Sequence, residues 1–131
     1  MLLVDTFNTC FEPENARAAL AVLTAAGYKV LCPSPLDKGR PLCCGRTFLS
    51  GGLVNEARVE AERMIDTLMP FVERGVPIIG LEPSCLLTLR DEFPSLLPGA
   101  DTDELAENAF LLEEFLAAEH GKGRLHLKLK P

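Results

Sequence analysis

The chain has 131 residues, 47% of them hydrophobic and 24% charged, which is enough for one ordinary domain with its own core and excludes disorder and fibrous architecture. A net charge of −6, from 19 acids against 13 bases, disfavours nucleic acid as a partner and serves solubility. The apolar runs fall far short of the roughly 20 residues a bilayer requires, and MLLVDTF meets Asp5 too early for a signal peptide, so a cytoplasmic setting is expected, at most peripheral to the inner face of the membrane.

Residues 2–7, LLVDTF, form a short apolar run and predict a buried first strand. A helix follows from Pro13, with Ala16, Leu20, Leu23 and Ala26 on its apolar stripe and Gly27 as its stop. Tyr28–Cys32 predicts a second strand, and Pro33, Pro35 and Gly39 mark the loop after it. The segment PLCCGRTFLSGG, residues 41–52, predicts a functional loop with one helical turn. From Val54 to Glu73, Val54, Ala57, Ala61, Met64, Ile65, Leu68 and Phe71 recur at helical spacing. Glu56, Arg58, Glu60, Glu62 and Arg63 are assigned mostly to the opposite face, and Pro70 is expected to kink or shorten the end.

VPIIGLEP predicts a third buried strand, followed by a helix capped by Ser84 and broken at Pro94. Asp101 or Thr102 would cap one further helix running to about His120, and alternating residues from Leu125 to Leu129 suggest an edge strand. Strands separated by helices predict an α/β fold: a three-layer, Rossmann-like domain over 1–131, with a mostly parallel sheet of about four strands and helices on both faces.

Ligand sites in open parallel sheets form outside the carboxyl ends of the strands. Cys10 follows strand one, Cys32 ends strand two, Cys43 and Cys44 lie in the loop beyond it, and Cys85 follows strand three. Five cysteines without an export signal point to reduced thiols serving metal or redox chemistry rather than a disulfide framework. Adjacent Cys43 and Cys44 suit presentation of two sulfurs to a metal, Gly45 allows the backbone to turn closely around a bulky ligand, and a helix start at Cys85 favours its thiolate. The bland reading makes Cys10 and, with more weight, Cys32 small buried hydrophobes. His120 and His126 lie beside no cysteine and read as ordinary surface residues.

These residues resemble a known family. DTFNTCFEPENARAA, PLCCGRTFLSGGLVNEAR and GVPIIGLEPSCLLTLRDEFP, in that order and spanning nearly the whole chain, are similar to the cysteine-rich CCG domain. That domain is found in heterodisulfide reductase, in the iron–sulfur subunits of glycolate oxidase and lactate-utilisation enzymes, and, closest here, in long FAD-linked oxidases. The resemblance implies an iron–sulfur cluster, of the 4Fe–4S type for four thiolates, ligated by Cys10, Cys43, Cys44 and Cys85. The first cysteine of the family's closing Cys-x-x-Cys falls on Glu82, which becomes a weak oxygen ligand or a helix-start acid. Arg46 could donate to cluster sulfur or bind a substrate carboxylate.

The resemblance further implies a fragment of a larger oxidoreductase acting on a 2-hydroxy acid such as D-lactate or glycolate. FAD, a ferredoxin-like domain and a second cysteine-rich repeat would lie in the remainder of the chain, and the fragment alone would be inactive. No G-x-G-x-x-G follows a strand, and neither a P-loop nor a ferredoxin-type Cys-x-x-Cys series occurs. Two alternatives use the same residues: a structural zinc site on the thiolates, and a cluster-less docking or assembly module. A thiol enzyme with Cys85 as nucleophile lacks an evident base.

Overall fold

The computed structural model describes residues 1–128. Its order is β1 (Leu2–Leu3), α1 (Thr6–Cys10), α2 (Pro13–Ala25), α3 (Arg46–Ser50), α4 (Val54–Val72), β2 (Ile78–Gly80), α5 (Pro83–Leu96), α6 (Ala100–Glu107), β3 (Ala109–Leu111) and α7 (Leu112–Gly121). The three strands are parallel in the order β1-β2-β3, with Leu2 opposite Ile79 and Ile79 opposite Phe110.

Strand alternation divides the apolar residues between two layers. Leu2, Ile79 and Phe110 meet Ala19 of α2 and Leu112 and Phe115 of α7. Leu3, Ile78 and Ala109 face Met64 and Leu68 of α4, Leu86, Leu89 and Phe93 of α5, and Leu105 of α6. Helices therefore cover both faces, and the α/β class expected from the sequence holds. Among the described residues, no helix is long and apolar enough to cross a membrane.

Besides the number of strands, three rather than about four, and the first strand, Leu2–Leu3 rather than 2–7, five local expectations need correction. Tyr28–Cys32 forms no strand ladder; a single hydrogen bond, from the Leu2 N–H to the Leu31 carbonyl at 2.7 Å, holds it beside β1. The helix expected from 101 to 120 is instead α6, β3 and α7. Leu105, Ala109, Leu112 and Phe115 keep a helical spacing through the break, so periodicity alone could not show it. The unpaired edge of β2 captures Ala109–Leu111, and the Glu114 carboxylate accepts the Leu111 N–H at 3.0 Å as the next helix begins.

The third correction concerns the prolines: α4 runs two residues beyond Pro70, and α5 two beyond Pro94. Near a helix end proline removes a single bond and leaves no long segment to redirect. Fourth, Glu82 rather than Ser84 caps α5, and α6 begins after Gly99 without a side-chain cap. Of the edge strand expected over 125–129, residues 125–128 are not in a strand and Leu129 lies outside the described residues.

The close approach of β2 to α5 yields a stability prediction. A Cβ added at Gly80 would stand 2.7 Å from Leu86 Cδ1 and 3.0 Å from Leu86 Cβ. Gly80→Ala should therefore lower unfolding stability by about 1–3 kcal/mol, read from urea denaturation.

At the other end of the sheet, Arg124 and then Tyr28 hydrogen-bond Glu119 and hold its carboxyl below the usual carboxylate range. A folded-state pKa below the unfolded one stabilises the fold above the unfolded value, and the contribution is lost as pH falls through the folded one. The urea midpoint should thus fall on acidification below about pH 5, and less steeply in Glu119→Gln.

Candidate metal centre

The carboxyl ends of β1 and β2 send the chain into α1 and α5, and the loop from Pro33 to Gly45 returns to the same edge. Asp5 caps α1, accepting the Asn8 N–H at 3.0 Å and the Asn8 side-chain amide at 2.6 Å. Glu82 caps α5, accepting from the Ser84 N–H at 3.2 Å and the Ser84 hydroxyl at 2.9 Å. These caps fix where α1 and α5 begin, and hence where Thr6 and Cys85 stand.

The cysteine pair is delivered by a left-handed turn. Gly45 has φ +76°, and a Cβ there would meet Ala57 Cα and the Ala57 carbonyl oxygen, both at 3.2 Å. Only glycine takes this conformation without strain at so close an approach to α4. The sequence expectation is that Gly45 lets the backbone turn around a bulky ligand; the surface it approaches in the structure is α4.

Cys43, Cys44 and Cys85 come together. Cys44 lies close to both of the others and shares a buried cluster with Cys85, and Thr6 lies close to Cys43. Cys44 and Cys85 are buried, at 5% and 7% exposure, and Cys43 is half-buried. Backbone donors converge on the sulfurs: the Gly45 N–H points to Cys43 Sγ at 3.4 Å, and the Arg46 N–H to Cys44 Sγ.

The hydrogen bond to Cys44, then burial, pushes the Cys43 thiol far above its ordinary value. At Cys44 the bond from Cys43 pulls downward, but the bond to Cys85 and burial outweigh it and push the thiol up to about 11. The thiols of Cys43 and Cys44 are protonated at neutral pH, and a metal would have to displace their protons.

Cys10 stands apart from these three thiols, exposed at the end of α1. It lies four residues after Thr6, one helical turn from the hydroxyl that touches Cys43. Cys32 is also exposed, so the buried-hydrophobe reading fails for both residues. Among the described residues, no three Cys, His, Asp or Glu side chains stand ready-made in a metal-ligand arrangement.

Glu82 acts as the cap of α5, while Arg46 forms an ion pair with Glu92 and contributes its N–H to the sulfurs. A cleft of about 230 Å³ opens beside the cysteine loop, lined by Val4, Thr9, Pro41 and Leu42 among others.

Three participants are not foreseen in the sequence. Thr6 carries no distinguishing signal. Arg40 and Glu60 form an ion pair behind the cysteine loop, and Glu60, assigned to the polar face of α4, is buried at 1% exposure. Its spacing from Ala57, Ala61 and Met64, at three, one and four residues, places it on the apolar stripe.

The chain is 29% identical over 133 residues to a subunit of the anaerobic glycerol-3-phosphate dehydrogenase of Escherichia coli strain K12, and equally to its counterpart in Escherichia coli O157:H7. The alignment takes in 98% of this chain and 32% of each of those proteins, so the chain spans about a third of the length of the curated relatives it matches. No family model matches, and no solved structure is significantly similar. The similarity relates the chain to one segment of a dehydrogenase component.

The thiols should differ in reactivity. In the metal-free protein near neutral pH, a thiol-specific reagent should modify Cys10 and Cys32 first and Cys44 among the last, as site-resolved mass spectrometry will show. Labelling of Cys44 should accelerate as pH rises toward about 11.

Proposed function

We propose that this chain is an iron–sulfur electron-transfer domain of a larger oxidoreductase. The observation that supports it most is the placement of Cys43, Cys44 and Cys85 near one another at the carboxyl edge of a parallel sheet, with Cys44 and Cys85 buried in one cluster. Thiolates are the usual ligands of such clusters, and backbone N–H groups aimed at sulfur stabilise the negative charge that ligation leaves there. Cys10, one turn from the Thr6 contact and open to solvent, is the proposed fourth ligand, so that four thiolates hold one 4Fe–4S cluster.

The donor set suits iron–sulfur or zinc ligation better than a hard cation, which would seek oxygen ligands. When bound, the cluster would accept and pass on single electrons. The protein's part is to converge the sulfurs, to exclude water from Cys44 and Cys85, and to set the local charge. Glu82 is engaged at the start of α5 and is assigned no ligand role; a five-sulfur noncubane cluster would lack one thiolate.

The parent enzyme is proposed to oxidise a hydroxyl-bearing carbon at FAD, which lies outside this chain. The resemblance to FAD-linked oxidases implies a 2-hydroxy acid such as D-lactate or glycolate, whereas the related proteins belong to an enzyme named for glycerol 3-phosphate. All of these substrates are secondary or primary alcohols, and hydride removal from such a carbon is the common step. The ferredoxin-like domain and second cysteine-rich repeat are proposed partners within the parent chain or complex.

Anaerobic reconstitution with iron and sulfide tests the ligand set. A brown protein is expected, with iron and sulfide in equal amounts, and with colour lost in Cys43→Ser, Cys44→Ser and Cys85→Ser and weakened in Cys10→Ser. Stoichiometric zinc without sulfide would replace the proposal with the structural zinc site. A folded protein that takes up neither would leave the docking module.

A further inference from the structure

The loop that ends in the cysteine pair is tied to α4 by ion pairs that the thiol site does not itself use. Glu60 is a carboxylate on the apolar stripe of α4, and its side chain is 1% exposed. Its two oxygens go to different guanidinium groups: Oε1 accepts from Arg40 and Oε2 from Arg63 Nη1 at 2.9 Å. Arg63 in turn holds the loop at two residues, donating from Nη2 to the Arg40 carbonyl at 2.8 Å and from Nε and Nη2 to the Asp37 carboxylate at 3.0 and 3.4 Å. A buried carboxylate is costly unless both its oxygens are satisfied, and here both are.

The same residue supports the far end of the loop. A Cβ at Gly45 would stand 3.3 Å from Glu60 Cβ, so the backbone there rests on Glu60's own stem. Arg40 and Gly45 bracket Cys43 and Cys44 in sequence, and both lie against this one side chain. Arg40 also lies near Cys43.

We infer that Glu60 is a positioning residue: clamped by Arg40 and Arg63, it holds the 37–45 loop on α4 so that Cys43 and Cys44 meet Cys85. The inference deepens the reading of these cysteines as ligands and rests on it for its purpose, yet the clamp is measurable without metal. A merely structural carboxylate would alter overall stability and all five cysteines together. A clamp alters the two cysteines it carries.

The test is site-resolved thiol labelling of the metal-free protein under native conditions, with overall stability measured in parallel. In Glu60→Gln, which keeps the shape but releases the guanidinium groups, Cys43 and Cys44 should label roughly tenfold faster or more, as expected for lost charge-assisted hydrogen bonds. Cys10 and Cys32 should be unchanged. Should Glu60→Gln unfold, Arg40→Gln decides, because the Arg40 side chain is 57% exposed and its loss leaves Arg63 on Glu60. It should show the same selectivity with a smaller increase.

Reconstituted iron and sulfide should fall in the same variants. Wild-type labelling of Cys43 and Cys44 in a folded variant would overturn the inference, whatever the iron content. Selective acceleration in a protein whose wild type takes up no iron and sulfide would uphold the clamp and overturn the cluster instead.

Discussion

The contact of the Gly45 backbone with α4 is the constraint on which the candidate centre depends. At its left-handed φ, a Cβ would stand 3.2 Å from Ala57, which leaves no room for a side chain and no unstrained alternative to glycine. Ala57 is itself fully buried, so a larger residue there would push the turn away as surely as a Cβ on Gly45. The vicinal cysteines reach Cys85 because two small residues permit this approach. Neither residue has a side chain that could ligate a metal.

The sheet supplies the other half of the convergence. Parallel pairing of β1 with β2 brings two strand ends, far apart in sequence, to one edge, and each passes at once into a helix. Strands this short carry few ladder bonds, so the register is held mainly by burial on both faces. Ile78 and Ile79 point into opposite layers, and a one-residue slip would exchange them. Helix packing thus holds the strands, and the strand ends in turn hold the loops that bear the thiols.

How much of this is legible in the sequence follows from these scales. The long helix α4 and the apolar runs of β1 and β2 declare themselves because their periodicity is strong or their residues apolar and often β-branched. The gathering of cysteines at one edge is legible because chain order with parallel strands already decides which loops share an edge. β3 is hidden: three residues flanked by helices cannot break a 3.6-residue pattern, and only the free edge of β2 chooses strand over helix there. Glu60 misleads for a related reason. Its charge suggests solvent, whereas its spacing from Ala57 and Ala61 points inward, and the spacing prevails because two arginines are within reach. The place of Cys10, four residues after Thr6 on a five-residue helix, is hard to read, since so short a helix shows no periodicity and its cap, Asp5, sits in what the apolar run suggests is a strand.

Electrostatics at the centre come from the backbone more than from side chains. The two arginines nearest the cysteine pair in sequence are each answered by a carboxylate, Arg40 by Glu60 and Arg46 by Glu92. Neither offers an uncompensated cation to a thiolate in a chain that is already acidic. What remains are the N–H groups of Gly45 and Arg46 and the first turn of α5, at whose third residue Cys85 stands. Dipoles of this kind are fixed by the fold and do not titrate, so they favour negative sulfur without recruiting a mobile counter-ion. They are also weaker than a full charge, in keeping with thiols that stay protonated, Cys44 at about 11, until something of higher charge takes the proton's place. A site built this way holds its sulfurs ready and nearly neutral, and leaves most of the charge compensation to the cation that binds.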